Sequence, residues 1–258
     1  MDLEDVAAFW EGNAETWTRQ ARAGYDVYRD ALNTPAFLAM LPPVAGQTGI
    51  DIGCGEGGNT RLVADLGARM TGIDVAPTFI RHAVEAGGDI QYQVADAHTL
   101  PFADGSFDFA TAFMSLMDMP QPEKAVREVS RVLKPGGFMQ FSILHPCFVP
   151  PYRKTLRNAD GSTRAVEIAR YFDSMDGEID RWWFSSTSAE ERAETPQFQI
   201  PRFHRTLGAW VDMVVAAGLI IEKLGEPVAS EEAAKAYPII EDTRVVPIFL
   251  HLRARKPA

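Results

Sequence analysis

Three aspartates and a run of glycines are the residues of this chain best suited to chemistry. The run Ile50-Asp51-Ile52-Gly53-Cys54-Gly55-Glu56-Gly57-Gly58 follows an apolar stretch of strand length and opens a stretch of helix length. Glycines at such a turn allow positive φ and let a ligand come close to the backbone. Gly53, Gly55 and Gly58 also satisfy G-x-G-x-x-G, the spacing of a dinucleotide loop, which alone is a weak signal. The carboxylates shift the balance. Asp51, two residues before Gly53, sets a negative charge where a pyrophosphate would be repelled and an amino group or sulfonium attracted. Asp74 closes the next apolar run, well placed to accept both hydroxyls of a ribose. Asp96, in VADAHTLPF, can accept from an adenine amino group while a backbone N–H beside Ala97 addresses the ring. A lone aspartate at a strand end is ordinarily a cap or a turn residue. Three at successive strand ends describe a ligand with a ribose, an adenine and a cationic, carboxylate-bearing tail.

These groups need a scaffold that brings strand ends to one edge. Helices are expected at 4–20 and 26–41, the second ending at Pro42-Pro43. From 48 on, strand-length and helix-length runs alternate: strands at 48–53, 68–74, 89–95, 107–113 and 138–144, helices at 57–66, 77–86 and 123–133. Lys134-Pro135-Gly136-Gly137 reads as a sharp stop before the fifth strand. Strands alternating with helices predict a parallel sheet covered on both faces. The rhythm breaks after His145 and resumes with a helix at 206–217, a strand at 218–225, a Glu- and Ala-rich linker and a last strand at 245–254. A structureless stretch as long as 146–203 is not expected inside a compact domain, so it reads as an inserted lid with short elements of its own. The expected division is an N-terminal helical cap (1–45), a ligand-binding core (46–145), the lid (146–203) and a C-terminal completion of the sheet (204–258).

The ordered set IDIGCGEG, TGIDV, VADAHTLPF, FDFATAF and SRVLKPGGFMQFSI resembles the class I S-adenosylmethionine-dependent methyltransferases, in particular their small-molecule branch. The likeness is strong over 46–145 and looser over 206–254. It implies a Rossmann-like, doubly wound seven-stranded sheet whose last strand is antiparallel, with S-adenosylmethionine as cofactor and S-adenosylhomocysteine as product. It also implies that Asp51, Gly53, Cys54 and Gly55 hold the methionine portion. Asp74 would then bind the ribose, Val75 flank the adenine, and Asp96 with Ala97 read its edge. Phe113 and Met114, equally at home in a core, would contact the donor's amino end and the reacting centre. Trp17 and Tyr28 are the candidates for a cap folding over the donor.

Methyl transfer from a sulfonium is an in-line displacement at carbon, so alignment and water exclusion matter most. An acid or base is needed only where the acceptor must lose a proton. Acceptor-side residues are therefore scattered. His145, directly after the fifth strand, is a candidate base or acceptor orienter, with bonding to nearby backbone as its simpler role. His204 and Arg205 precede the helix after the lid, and Arg205 is suited to clamp a carboxylate or phosphate. Asp118 is an acceptor candidate or a cap for the following helix. Tyr171 and Trp182 line up as acceptor wall or lid core. Cys54 and Cys147, outside any CxxC, suggest neither disulfide nor zinc site, and no carboxylate cluster suggests a catalytic metal.

The chain has 258 residues with 25 basic and 35 acidic side chains, a formal charge of −10. That balance opposes binding to nucleic acid and to anionic membranes. The N-terminus MDLEDVAAFW has no basic region followed by an apolar core, and no apolar run reaches membrane-spanning length, so a cytoplasmic protein is expected. The reading is methyl transfer to an O, N or S atom of a small molecule. The alternatives are a macromolecular acceptor (tRNA or protein), a nicotinamide-dependent oxidoreductase and a non-catalytic nucleotide-binding module. Nothing in the sequence marks an oligomeric interface.

Overall fold

The computed structural model describes residues 1–258. Helix α1 (Leu3–Arg22) starts at a capping box formed by Asp2 and Asp5. A π-helical turn, Arg29–Asn33, runs directly into α2 (Thr34–Met40). The alternating region then gives β1 (Thr48–Ile52), α3 (Gly58–Asp65), β2 (Arg69–Asp74), α4 (Pro77–Glu85), β3 (Gln91–Val94) and β4 (Phe107–Phe113). A 3-10 turn at Leu116–Asp118 leads to α5 (Pro122–Val132) and β5 (Leu133–Leu144). Residues 146–203 hold two antiparallel hairpins, β6 (Tyr152–Arg157) with β7 (Thr163–Ala169) and β8 (Glu178–Trp182) with β9 (Phe198–Arg202), and the short α6 (Ala189–Glu194). The chain ends with α7 (Leu207–Ala216), β10 (Ile220–Gly225), α8 (Glu231–Ala236), a 3-10 stretch at Pro238–Arg244 and β11 (Phe249–Arg255).

Seven strands form one sheet in the order β10-β11-β5-β4-β1-β2-β3. β1 to β5 are parallel to one another, and β11 runs antiparallel to both β5 and β10. This is the doubly wound α/β architecture that the sequence implies. The inner strands are apolar on both faces because helices cover both: Phe109, Ala110 and Ala112 of β4 and Met139, Phe141 and Ile143 of β5 are buried. Helix α5 adds Ala125, Val126, Val129 and Val132 from one stripe. No helix is long and apolar enough to cross a membrane.

Three element boundaries differ from expectation, each for a local reason. β5 begins at Leu133, so the KPGG segment lies within the strand. Pairing shifts from Phe107↔Leu133 to Phe109↔Phe138, and Gly136 takes φ +77° where the extra residues bulge out. The Glu- and Ala-rich linker contains α8, capped by Ser230, and the 3-10 stretch after it. β11 starts at Phe249 rather than 245, because Pro247 has no N–H to offer between two partner strands.

Candidate functional site

The C-terminal ends of β1, β2 and β4 open on a cavity of about 570 Å³. Its opposite wall comes from α1, the π-helical turn and the β8–β9 hairpin. Strand order explains the location: β1 and β4 are neighbours whose following helices lie on opposite faces, which leaves a crevice beyond their ends.

The loop from β1 to α3 lines the cavity with Gly53, Cys54 and Gly55. Gly53 sits at φ +68°, and a Cβ there would fall 2.4 Å from the Ser115 Cβ, so the turn admits no side chain. The loop is anchored to β2: Cys54 N donates to Ile73 O at 2.9 Å and Gly55 N to Asp74 Oδ2 at 2.9 Å. Asp74 also accepts Ala76 N at Oδ1, 2.9 Å. Its carboxylate is thereby oriented at the tip of β2, buried, with Val75 beside it in the wall. Asp96 accepts the His98 N–H at 2.7 Å in an Asx turn and lines the cavity with Ala97. Phe113 and Met114 line it at the end of β4, where Met114 takes φ +55°, a strained conformation for this side chain.

Trp17 enters from α1 and packs on Trp10, Trp182, Phe184 and Phe198 at ring separations of 4.9 to 5.5 Å. One indole therefore ties the first helix to the lid hairpin. Tyr28 lines the cavity with its ring, while its hydroxyl donates to Ile239 O at 2.6 Å and contacts Asp242 Oδ1 at 3.1 Å. Trp182 and Asp118 also reach the cavity. So the structure brings thirteen of the eighteen candidates to one space.

Five candidates lie elsewhere. Asp51 is fully buried below the loop, paired in register with Thr111 of β4, and its oxygens accept the hydroxyls of Thr60 at 2.5 Å and Thr111 at 2.8 Å. It holds the loop between α3 and β4 and does not line the cavity. The expected rim of three carboxylates is thus a rim of two, Asp74 and Asp96. His145 projects away from the cavity. Its Nε2 meets Glu226 Oε1, just past β10, at 2.9 Å, and its Nδ1 accepts the Cys147 N–H at 3.2 Å. Both ring nitrogens are used in closing the turn after β5. Tyr171 accepts the Leu207 N–H at its hydroxyl, 2.9 Å, and the His204 ring contacts its carbonyl at 2.8 Å. Arg205 forks onto the carbonyls of Pro120 and Met119 at 2.6 and 3.4 Å, so it braces the turn before α5 instead of clamping a ligand. His204 and Arg205 line only a small side cavity of about 40 Å³ that shares Asp118 and Arg202 with the main one.

Several lining residues escaped sequence reasoning. Glu56 is buried and paired with Arg22 and Arg61 at 3.0 and 2.8 Å. Arg202 and Asp180 pair at 3.0 Å across the β8–β9 hairpin, and His98 keeps an unpartnered, buried Nε2 beside Asp96. Only the last carried a signal, its place two residues after Asp96.

Residues 50–141 match a family model described as a methyltransferase domain. A ubiquinone biosynthesis O-methyltransferase of Albidiferax ferrireducens is 41% identical over 115 residues, 42% of this chain and 46% of that protein. The enzyme of the same name from Ralstonia nicotianae is 36% identical over 144 residues, 54% of this chain and 56% of that protein. The chain thus spans about half the length of these curated relatives. A crystal structure of an S-adenosylmethionine-dependent methyltransferase from Mesorhizobium loti superposes with a TM-score of 0.70 at 28% identity, covering 86% of this chain and 96% of that one. Over residues 50–141 the chain is thus similar in sequence to a methyltransferase domain, and its fold is similar to that of an S-adenosylmethionine-dependent methyltransferase.

The lining of the cavity fits an adenosyl sulfonium. Six carboxyl side chains line it against two guanidinium groups, Arg29 and Arg202, which favours a cation over a pyrophosphate. Gly55, at φ +56°, has open space where a Cβ would stand. The buried Nε2 of His98 lacks a protein partner at the Asp96 end. Burial pushes the Asp74 carboxyl up to about 6, opposed by the amides of Ala76 and Gly55, and pushes the Cys54 thiol well above its usual range. Cys54 is therefore a packing residue with no thiolate to offer. No group of three or more His, Cys, Asp and Glu side chains converges as a metal site would require.

Proposed function

We propose that the protein transfers a methyl group from S-adenosylmethionine to an oxygen atom of a small, largely apolar acceptor. The observation that carries this reading is the Asp74 carboxylate, fixed by Gly55 and Ala76 amides beside the glycine loop, on a cavity that the lid also walls. Asp74 holds the ribose hydroxyls, Val75 and Ala97 flank the adenine, and Asp96 accepts from its amino group. The backbone at Gly53, Cys54 and Gly55 holds the methionine portion, and Phe113 and Met114 border the transferred methyl. The sulfonium brings a methyl group already activated by positive charge. The chain's own task is to hold both partners in line and keep water out. Trp17, Trp182 and Phe184 do the latter by closing the cavity with aromatic surface.

Relatives named as O-methyltransferases support an oxygen acceptor. The walled cavity and the charge of −10 speak against tRNA or another polyanion as acceptor. Incubating the protein with methyl-labelled S-adenosylmethionine and a panel of hydroxylated aromatics, aliphatic alcohols and amines tests the proposal. Label transfer to a hydroxylated compound supports it, and transfer confined to amines or to tRNA contradicts it.

Two expectations follow for this site. Donor binding uses the ionised Asp74, whose carboxyl is pushed up to about 6 by burial, so affinity is full above that pH and falls as pH drops through it. Calorimetric titration of S-adenosylhomocysteine should give about 10-fold weaker binding at pH 5 than at pH 7.5. Flat affinity over that range contradicts the role of Asp74. His145→Ala should leave turnover unchanged and lower stability by about 1–3 kcal/mol through the orphaned Cys147 N–H. Lost turnover in a folded variant would return His145 to the reaction.

A further inference from the structure

Asp118 is the one lining carboxyl that nothing in the protein accounts for. It ends the 3-10 turn after β4 and is 7% exposed. It is not the cap of α5, because that helix has Gln121 at its N-cap position and no side-chain cap. Asp26, Glu56, Asp74, Asp96 and Asp180 all have partners: the Arg29 amide, two arginines, two amides, the His98 amide and Arg202. Asp118 receives no hydrogen bond. Its burial is opposed only by the longer-range attraction of Arg202, which Asp180 already occupies and whose charge offsets it. A nearly buried carboxyl without a protein partner, on the wall of a binding cavity, is placed to take a ligand's donor.

The surroundings narrow that ligand. Trp17, Trp182 and Phe184 supply flat apolar surface on the same cavity. A protonated amine at Asp118 would bring a second positive charge into the space that the proposed function gives to a sulfonium, and like charges repel strongly in a low-dielectric site. A hydroxyl also donates to a carboxylate, and it does so without that repulsion. We infer that Asp118 is the acceptor-recognition residue and that it pairs with a hydroxyl on an aromatic ring held against Trp17 and Trp182. This inference rests on the proposed function and adds to it both the acceptor class, a phenol, and the residue that selects it.

The test separates the two claims. S-Adenosylhomocysteine is first titrated into wild type and Asp118→Leu. Equal affinity in both shows an intact donor site, and absence of binding in wild type would refute the proposed function instead. With S-adenosylhomocysteine bound, phenols, catechols and hydroquinones, their methyl ethers, and tyramine against its deaminated analogue are titrated by tryptophan fluorescence. Wild type is expected to prefer at least one free phenol over its methyl ether by about 10-fold or more, and Asp118→Leu to lose that preference. Removing the unpartnered acid should also raise Tm, by about 2 °C or more, which a structural carboxyl would not do. Three results would overturn the inference: a hydroxyl preference surviving in Asp118→Leu, an Asp118-dependent preference for the amine, or a panel in which no phenol binds.

Discussion

Trp17→Ala is expected to destabilise the protein by about 3–5 kcal/mol and to lower Tm by about 6–20 °C. The size follows from position. Trp17 lies where α1 meets the β8–β9 hairpin, in edge or tilted contact with Trp10, Trp182, Phe184 and Phe198. Phe198 and Phe184 are themselves buried, so removing the indole leaves a void in a cluster too rigid to collapse. The loss should be uneven. Hydrogen exchange is expected to quicken in α1 and in β8 and β9, while β4 and β5, whose core cluster does not include Trp17, keep their protection. Trp17→Phe should recover more than half of the lost stability, since it keeps a ring in the cluster. A Tm within 2 °C or so of wild type for Trp17→Ala would mean that the lid is not held through this contact.

The second large effect is on the donor. Asp74→Ala removes the carboxylate that pairs with the ribose in the proposed complex, and it also frees the Gly55 and Ala76 amides. Each such loss costs on the order of 1–3 kcal/mol, so S-adenosylhomocysteine affinity should drop about 100-fold or more by calorimetry. Stability should change less than affinity, because burial of the charge is itself unfavourable: the folded carboxyl sits near 6 against an ordinary 3.8. Above pH 6 that burial costs about 3 kcal/mol, a penalty relieved as the group takes up a proton between pH 6 and 4. Retained affinity in a folded Asp74→Ala variant would remove Asp74 from the donor site.

Much of this arrangement is legible in the sequence because it is local. Short apolar runs alternating with amphipathic ones specify the sheet, and the glycine loop and Asp74 sit at its strand ends. What the sequence hides is direction and distance. Asp51 is one residue inside β1, and its neighbour in the sheet is Thr111, sixty positions away, which turns its carboxylate into a buried brace. His145 follows β5 on the correct edge, yet its partner Glu226 lies past β10, on the far side of the sheet from β1. Arg202 and Asp180 face each other only because β8 and β9 pair within a segment that carries no sustained period. Asp118 reads as a helix cap until the helix is seen to start without it.

The central claim is that a cavity with carboxylates at the tips of β2 and β3 selects a cationic adenosine derivative over a phosphate-bearing one. Calorimetric titration of the intact protein at pH 7.5 with S-adenosylmethionine, S-adenosylhomocysteine and NAD tests it most directly. The account predicts saturable binding of both sulfur compounds at one site per chain, with no heat from NAD. Saturable NAD binding together with silence from both sulfur compounds would contradict it.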